Sequence, residues 1–362
     1  MSTPQHEHVC PAPLRDWLAK AIEAGASDLH LVAGYPPVLR VHGELQPLEL
    51  AALDPDGVRG LLVEACPSHA IDRFRAERNV DFALDLTLRG QPQRFRVNYF
   101  MSGEQMGACF RVIPSAIPDF QWAGFPEDLA GRLAHYRNGL VLLCGVVGSG
   151  KTTSLAMLIH RLNTEGGYRI ITIEEPVEYL FPKTPGSLVT QREVGVDVHT
   201  FADGLKYALR QDPDVILVGE IRDRPTAQMA LSAAETGHLV FSTLHTRDAK
   251  GAISRYADLF PQSDQREVRS QLALSLRAVV SQHLLPNVVK GEKRVLALEI
   301  MLNSSAIASA IRQGKIESID NVILTSRADG MLTLDESIKR LLKAGRISRE
   351  TAERFVSSVN RL

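Results

Sequence analysis

Residues 140–153 read L-V-L-L-C-G-V-V-G-S-G-K-T-T, and the order of chemistry along them decides the fold. An unbroken apolar run from Leu140 to Cys144 suits a parallel strand covered on both faces. It passes through a glycine-rich turn into a segment with Leu155, Leu158, Ile159 and Leu162 at helical spacing. Residues 145–152, G-V-V-G-S-G-K-T, match the phosphate-loop pattern G-x-x-x-x-G-K-[ST] in the strand, loop and helix context that pattern needs. Glycines let backbone N–H groups curl around phosphate oxygens, and the helix N-terminus adds its positive end. Gly145, Gly148, Ser149, Gly150, Lys151, Thr152 and Thr153 are therefore candidate nucleotide ligands. Lys151 is expected to reach the β and γ phosphates and the Thr152 hydroxyl to ligate Mg²⁺. ATP and Mg²⁺ are the implied cofactors.

Downstream, strand-like runs recur at Ile170–Ile173, Val215–Val218, Leu239–Phe241 and Val295–Leu302, with helical patterns between most of them. Such alternation predicts an α/β domain with a largely parallel sheet. Ligands of open parallel sheets gather at the C-terminal ends of the strands, and polar residues emerge there in this chain. Val215–Val218 runs into Gly219 and Glu220, placing a carboxylate to hold Mg²⁺ or polarise water. The run at 170–173 ends in Glu174, Glu175 and, after Pro176 and Val177, Glu178; one of the three is expected to orient the attacking water. A third run ends S-T-L-H-T at 242–246, which makes His245 a γ-phosphate candidate; His238 is a weaker one. Beyond Ser304 the patterns are helical, at 306–312, 332–344 and 348–359.

Upstream, Leu14, Trp17, Leu18 and Ile22 share a helical face, with Pro13 suited to the first turn and Gly25 to the C-terminal cap. Short strands are predicted at Leu29 and Leu31 and at Val38–Val41. In Arg94–Phe100, residues Phe95, Val97 and Tyr99 share one face of a strand, and Arg94, Arg96 and Asn98 share the other. A strand at Ala108–Ile113 adds Arg111. Pro114, Pro118 and Pro126 then suggest a linker. The resulting division is an N-terminal α/β domain at 1–116, a linker at 117–135, a nucleotide-binding core at 136–303 and a helical subdomain at 304–362.

Composition narrows the functional classes. Lys plus Arg number 41 against 42 Asp plus Glu, for a net charge of −1, which argues against a duplex-DNA binder that must neutralise many phosphates. A RecA-like helicase would want a basic channel and stacking aromatics, and neither stands out. The cysteines at 10, 66, 109 and 144 are too scattered for a zinc knuckle or a disulfide framework. The start, M-S-T-P-Q-H-E-H-V-C, lacks a basic then apolar leader, and no apolar run reaches the ~18 residues of a membrane span. A cytoplasmic protein without a transmembrane segment, able to work peripherally at a membrane, is expected.

Taken together, the motifs resemble the secretion ATPase superfamily and, within it, the PilT-type retraction motors of type IV pili. The resemblance runs from A-S-D-L-H-L at 26–31 to the C-terminal helices. I-T-I-E-E-P-V-E at 171–178 is similar to that family's Asp box, D-P-D-V-I-L-V-G-E-I-R-D at 212–223 to its Walker B segment, and T-G-H-L-V-F-S-T-L-H-T at 236–246 to its His box. The resemblance implies a PAS-like N-terminal domain, a RecA-like P-loop ATPase domain and a homohexamer. It implies Glu178 as the general base or water-orienting residue, Glu220 as the Walker B acid and His245 as the γ-phosphate sensor. It also implies that arginines of the N-terminal domain, here Arg94, Arg96 and Arg111, meet phosphate charge, leaving open which of them does so. The implied partners are an inner-membrane pilus platform protein and a paralogous motor ATPase, with no nucleic acid. Two departures stand out: Glu175 occupies an Asp position of the Asp box, and A-I-A-S-A-I-R-Q at 306–313 replaces A-I-R-N-L-I-R-E. They motivate an alternative, an accessory PilU-like subunit that binds ATP with weak or no hydrolysis of its own. The absence of a tetracysteine segment and of a further large N-terminal domain sets the chain apart from PilB- and GspE-type motors.

Overall fold

The computed structural model describes residues 10–356 apart from His42 and Ser115. The N-terminal residues 1–9 and the expected end of the last helix at Val359 lie outside the described residues. The chain forms two compact units: one runs to Ala116 and takes in Glu175–Leu180, and the other comprises Ile117–Glu174 and the chain from Phe181 onward.

In the first unit the order is α1 (Ala12–Glu23), β1 (Asp28–Val32), β2 (Val38–Val41), β3 (Glu44–Pro47), α2 (Pro55–Ala65), α3 (Ser68–Glu77), β4 (Asn79–Leu88), β5 (Gln91–Ser102) and β6 (Gln105–Ile113). Leu14, Leu18 and Ala21 give α1 its buried stripe, and Pro13 sits in its first turn. Asp54 caps α2 by accepting the Gly57 N–H. The strands form one six-stranded sheet in the order β3-β2-β1-β6-β5-β4, antiparallel throughout. Strict alternation buries Val80, Phe82, Leu84, Leu86 and Leu88 of β4 beside Phe95, Val97 and Tyr99 of β5, on one face of the sheet. Tyr99 anchors this core, with the rings of Phe82, Phe74 and Phe110 meeting it edge-on at centroid distances of 5.0, 6.2 and 6.1 Å. With the apolar residues turned inward, Asp81 and Asp85 of β4 and Arg94, Arg96 and Asn98 of β5 necessarily share the other face.

The second unit opens with α4 (Phe120–Ala123) and α5 (Glu127–Ala134), where the prolines suggest a linker. The difference has a physical cause: Asp119 caps α4, Pro126 immediately precedes α5, and Phe120, Phe125, Leu129 and Leu133 are buried in the unit's core. There follow β7 (Gly139–Cys144), α6 (Lys151–Glu165), β8 (Arg169–Glu174), β9 (Leu188–Glu193), α7 (Phe201–Ala208), β10 (Val215–Val218), α8 (Arg224–Glu235), β11 (Leu239–Leu244), α9 (Ala249–Asp258), α10 (Gln265–Ser275), β12 (Leu276–Leu285) and β13 (Val295–Leu302). The chain then turns through α11 (Ser305–Gln313), α12 (Ile319–Thr325), α13 (Leu334–Lys343) and α14 (Arg349–Phe355). The seven-stranded sheet has the order β13-β12-β7-β11-β10-β8-β9. All its pairings are parallel except that of β12 with β13. Every residue of β7, β10 and β11 is buried, as helices on both faces demand. A satellite core of Leu285, Val295, Ala297, Ile338, Ile347 and Ala352 seats α13 and α14 on the β12–β13 hairpin. No helix among the described residues is long and apolar enough to cross a membrane.

Candidate nucleotide-binding site

The phosphate loop leaves the buried end of β7 at Gly145, whose φ of +146° suits glycine. A Cβ there would come within 2.5 Å of both the Gln282 carbonyl and Ser149 Oγ, so the loop closes only around hydrogen. Gly150, at φ +90°, turns the chain into α6. Lys151 is buried at the start of this helix, its Nζ donating to the carbonyls of Gly145 at 2.8 Å and Val146 at 3.1 Å. Burial pushes its pKa below the ordinary lysine value. The Ser149 hydroxyl is buried with no hydrogen-bond partner among the described residues, an orphaned polar atom of the kind a phosphate oxygen satisfies. Thr152 is exposed and Thr153 half-buried. From behind, β12 supports the loop: the buried Gln282 donates to Ser154 Oγ at 2.8 Å. Arg294 donates to the Gly148 carbonyl at 3.3 Å.

Strand order brings the acidic and histidine candidates alongside. β7, β11, β10 and β8 are consecutive in the sheet, so the phosphate loop, His245, Glu220 and Glu174 lie at the same ends of neighbouring parallel strands. Glu220 is 9% exposed; His245 Nε2 lies 2.9 Å from its Oε2, and Arg222 pairs with its Oε1. A carboxylate only accepts, so Nε2 carries the proton and Nδ1 is left as an acceptor. Burial, then the charges of Lys151 and Arg222, push the His245 pKa below its ordinary 6.5, and the ring is neutral at pH 7. Glu174 is tied down inside its own unit, accepting from Thr172 Oγ1 at 2.6 Å and Gln191 Nε2 at 3.2 Å. His238 faces the Ala233 carbonyl at 3.0 Å, at the end of α8 and away from these groups.

The remaining candidates belong to the first unit. Arg96 Nη1 lies 3.3 Å from Glu178 Oε1, and Arg94 Nε donates to the Val177 carbonyl at 2.7 Å. Arg111, opposite Arg96 in the register of β5 and β6, donates from Nε to Asp28 Oδ1 at 2.9 Å. Burial opposes its charge, but the Asp28 carboxylate outweighs burial and, with a smaller contribution from Glu178, pushes the Arg111 pKa up. Three arginines and one glutamate from the expected set thus gather on one sheet face. Glu175 is half-buried.

Sequence reasoning passed over several partners. Arg222 lies two positions after Glu220 within the Walker B-like segment and could have been found there. Asp28 lies in the A-S-D-L-H-L stretch at 26–31 without a role being read there, and Gln282, Arg294 and Asp85 carry no local signal, since only tertiary contact gives them a role. The oxygen donors also suit a divalent cation. The Thr152 hydroxyl and the Glu220 carboxylate are the hard ligands Mg²⁺ prefers. Both Glu220 oxygens are already engaged, which favours holding such an ion through water.

The chain matches the profile of the family described as Type II/IV secretion system protein over residues 6–350. It is 41% identical to the type IV pilus retraction ATPase PilT of Pseudomonas aeruginosa over 339 residues, covering 94% of this chain and 96% of PilT. It is 36% identical to the type IV pilus ATPase PilU of the same organism, over 94% of this chain and 88% of PilU. Among solved structures, the pilus retraction motor PilT with bound ADP superposes with a TM-score of 0.84 at 39% identity, covering 96% of this chain and 98% of that one. With the G-V-V-G-S-G-K-T loop, Glu220 and His245 at the ends of adjacent strands, and near-complete coverage by these relatives, the chain belongs to the Type II/IV secretion system protein family.

Proposed function

We propose that the chain is a Mg²⁺-dependent ATPase that powers type IV pilus retraction as a homohexameric motor. It would work in the cytoplasm, peripherally at the inner membrane, on the pilus platform protein, with a paralogous motor ATPase as a second partner. The observation that carries this is the alignment of Lys151, the orphaned Ser149 hydroxyl, Glu220 and neutral His245 at the C-terminal ends of neighbouring strands. Phosphoryl transfer to water is chiefly positioning and electrostatics. The loop amides and Lys151 hold the phosphates, and Lys151 exchanges two neutral carbonyls for anionic oxygens as it does so. Mg²⁺, held by Thr152 and through water by Glu220, would neutralise phosphate charge when bound. Glu178 orients the attacking water, and arginines of the β5–β6 face meet the charge that develops. His245 would report the γ-phosphate by moving its Nε2–H from Glu220 to a phosphate oxygen, and the return of that contact when the γ-phosphate leaves gives the cycle a mechanical readout.

Phosphate release by the purified protein with Mg²⁺-ATP, with EDTA, and as Glu178→Gln, alongside native mass, tests this proposal. Expected are turnover that EDTA abolishes, a loss of about 10²- to 10⁴-fold in the variant, and the mass of six copies in both proteins. An intact hexamer that binds ATP and releases no phosphate would replace the motor with an accessory PilU-like subunit, the role that Glu175 and the altered 306–313 helix motivate.

A further inference from the structure

Arg94 is built differently from the two arginines beside it. Its side chain is 14% exposed, against 34% for Arg96 and 47% for Arg111. One edge of the guanidinium is committed to Asp85, its direct cross-strand neighbour on β4, through Nη1 at 2.5 Å from Oδ2. Nε is committed to the carbonyl of Val177 at 2.7 Å. Val177 is itself buried, and the next residue is Glu178. Arg96, two places along the same face of β5, then meets the Glu178 carboxylate. A guanidinium is planar and its donors are fixed relative to one another. Anchoring one edge on Asp85 therefore fixes the direction from which Nε holds the Val177 carbonyl.

We propose, resting on Glu178 as the water-orienting residue, that Arg94 is a positioning residue for hydrolysis. It fastens the Val177–Glu178 peptide to β5, so that the carboxylate is presented from one point, while Arg96 and Arg111 are the arginines that answer phosphate charge. A displacement of about 1 Å in a catalytic group costs on the order of 10²-fold in rate, so releasing the peptide acts on turnover rather than on nucleotide binding. Lysine has a single nitrogen and cannot span both Asp85 and the carbonyl.

The test is a double-mutant cycle read in single turnover, with Arg94→Ala, Glu178→Gln and the double variant, and with Arg94→Lys and Asp85→Asn alongside. Arg94→Ala is expected to lower kcat about 100-fold with the KM for ATP within about twofold. In the Glu178→Gln background it should remove nothing further. Arg94→Lys should fail to restore the rate, and Asp85→Asn, which leaves Arg94 and Glu178 in place, should lower kcat several-fold in the same direction. Hydrogen exchange of the peptide spanning 175–180 should quicken in Arg94→Lys and Asp85→Asn. If Arg94→Ala multiplies the loss in Glu178→Gln, or raises the KM for ATP tenfold at unchanged kcat, Arg94 contacts phosphate and the positioning role is overturned while Glu178 stands. Wild-type turnover by Glu178→Gln would overturn the water-orienting role and the positioning role together. Should Arg94→Ala fail to fold, an unchanged rate and unchanged exchange in Asp85→Asn would by themselves overturn the proposal.

Discussion

Replacing Glu299 by glutamine should make the second unit more stable above neutral pH and leave it nearly unchanged in acid. Glu299 lies on β13, and its Oε1 accepts the Ala249 N–H at the start of α9 at 2.7 Å. Burial pushes its carboxyl up from 4.5 to about 7; the Ala249 N–H pulls it back, Asp248 and Asp320 push it further, and Lys250 opposes them. Lys250 is itself divided between Glu317 at 3.1 Å and Asp320 at 2.9 Å, so it neutralises little of the Glu299 charge. The folded chain therefore keeps this proton to higher pH than the unfolded chain. Between about 4.5 and about 7 it binds more protons than the unfolded chain, and its stability falls as pH rises through that window. At about 1.4 kcal/mol per tenfold in proton affinity, the full penalty above pH 7 is at most about 3.5 kcal/mol. Glutamine keeps the shape and the acceptor for Ala249 and removes the charge. Melting followed calorimetrically should give a Tm for the variant roughly 5–10 °C above wild type at pH 8 and a difference near zero at pH 4. An equal offset at both pH values, or a less stable variant at pH 8, would refute the reasoning.

Lys151→Ala should weaken ADP and ATP binding by about 10- to 100-fold, the worth of a charge-assisted contact; an unchanged affinity in a fluorescent-nucleotide titration would count against the phosphate loop as the site. Gly204→Ala should destabilise by about 1–3 kcal/mol, although alanine is ordinarily the better helix former. Its Cβ would meet Ile173 Cγ2 at 2.8 Å and Val198 Cγ2 at 3.3 Å, and a higher Tm would show that α7 has room. Tyr256→Phe removes a fully buried hydroxyl that donates to the Ala227 carbonyl at 2.7 Å. It leaves that oxygen short of a donor, for a loss of about 1–2 kcal/mol in denaturant melts; no change in the midpoint would mean that the oxygen finds another donor.

What the sequence made legible follows the physics of burial. β7, β10 and β11 are apolar throughout because helices cover both faces, and an apolar run can be read without context. β12 escaped notice because Arg277, Ser281, Gln282 and His283 interrupt it. Asn138, the Arg247 carbonyl and Ser154 take up the donors of these side chains, partners that no local pattern announces. β9 is a half-buried edge strand with little apolar signal. β4 alternates as clearly as β5 and was legible in principle. In 117–135 the prolines suggest an interdomain linker, and within it Pro126 sits just before a helix whose leucines are core. At the candidate site, local motifs single out the phosphate loop, Glu220 and His245. The grip of Arg94 on Val177 joins positions far apart in sequence, and no spacing rule could have anticipated it.

The short segment Glu175–Leu180 sorts with the first unit although the chain on either side of it sorts with the second. The polypeptide therefore passes from one unit to the other three times, at Ala116, Glu174 and Leu180. The two cannot be inherited, swapped or trimmed as independent beads on a string. A truncated protein beginning at Ile117 would keep Val177 and Glu178 but lose the β5 arginines that hold them. Exchange of N-terminal halves between related motors would succeed only where the loop and the strand that receives it travel together, which makes these six residues a compatibility tag written into the middle of the chain.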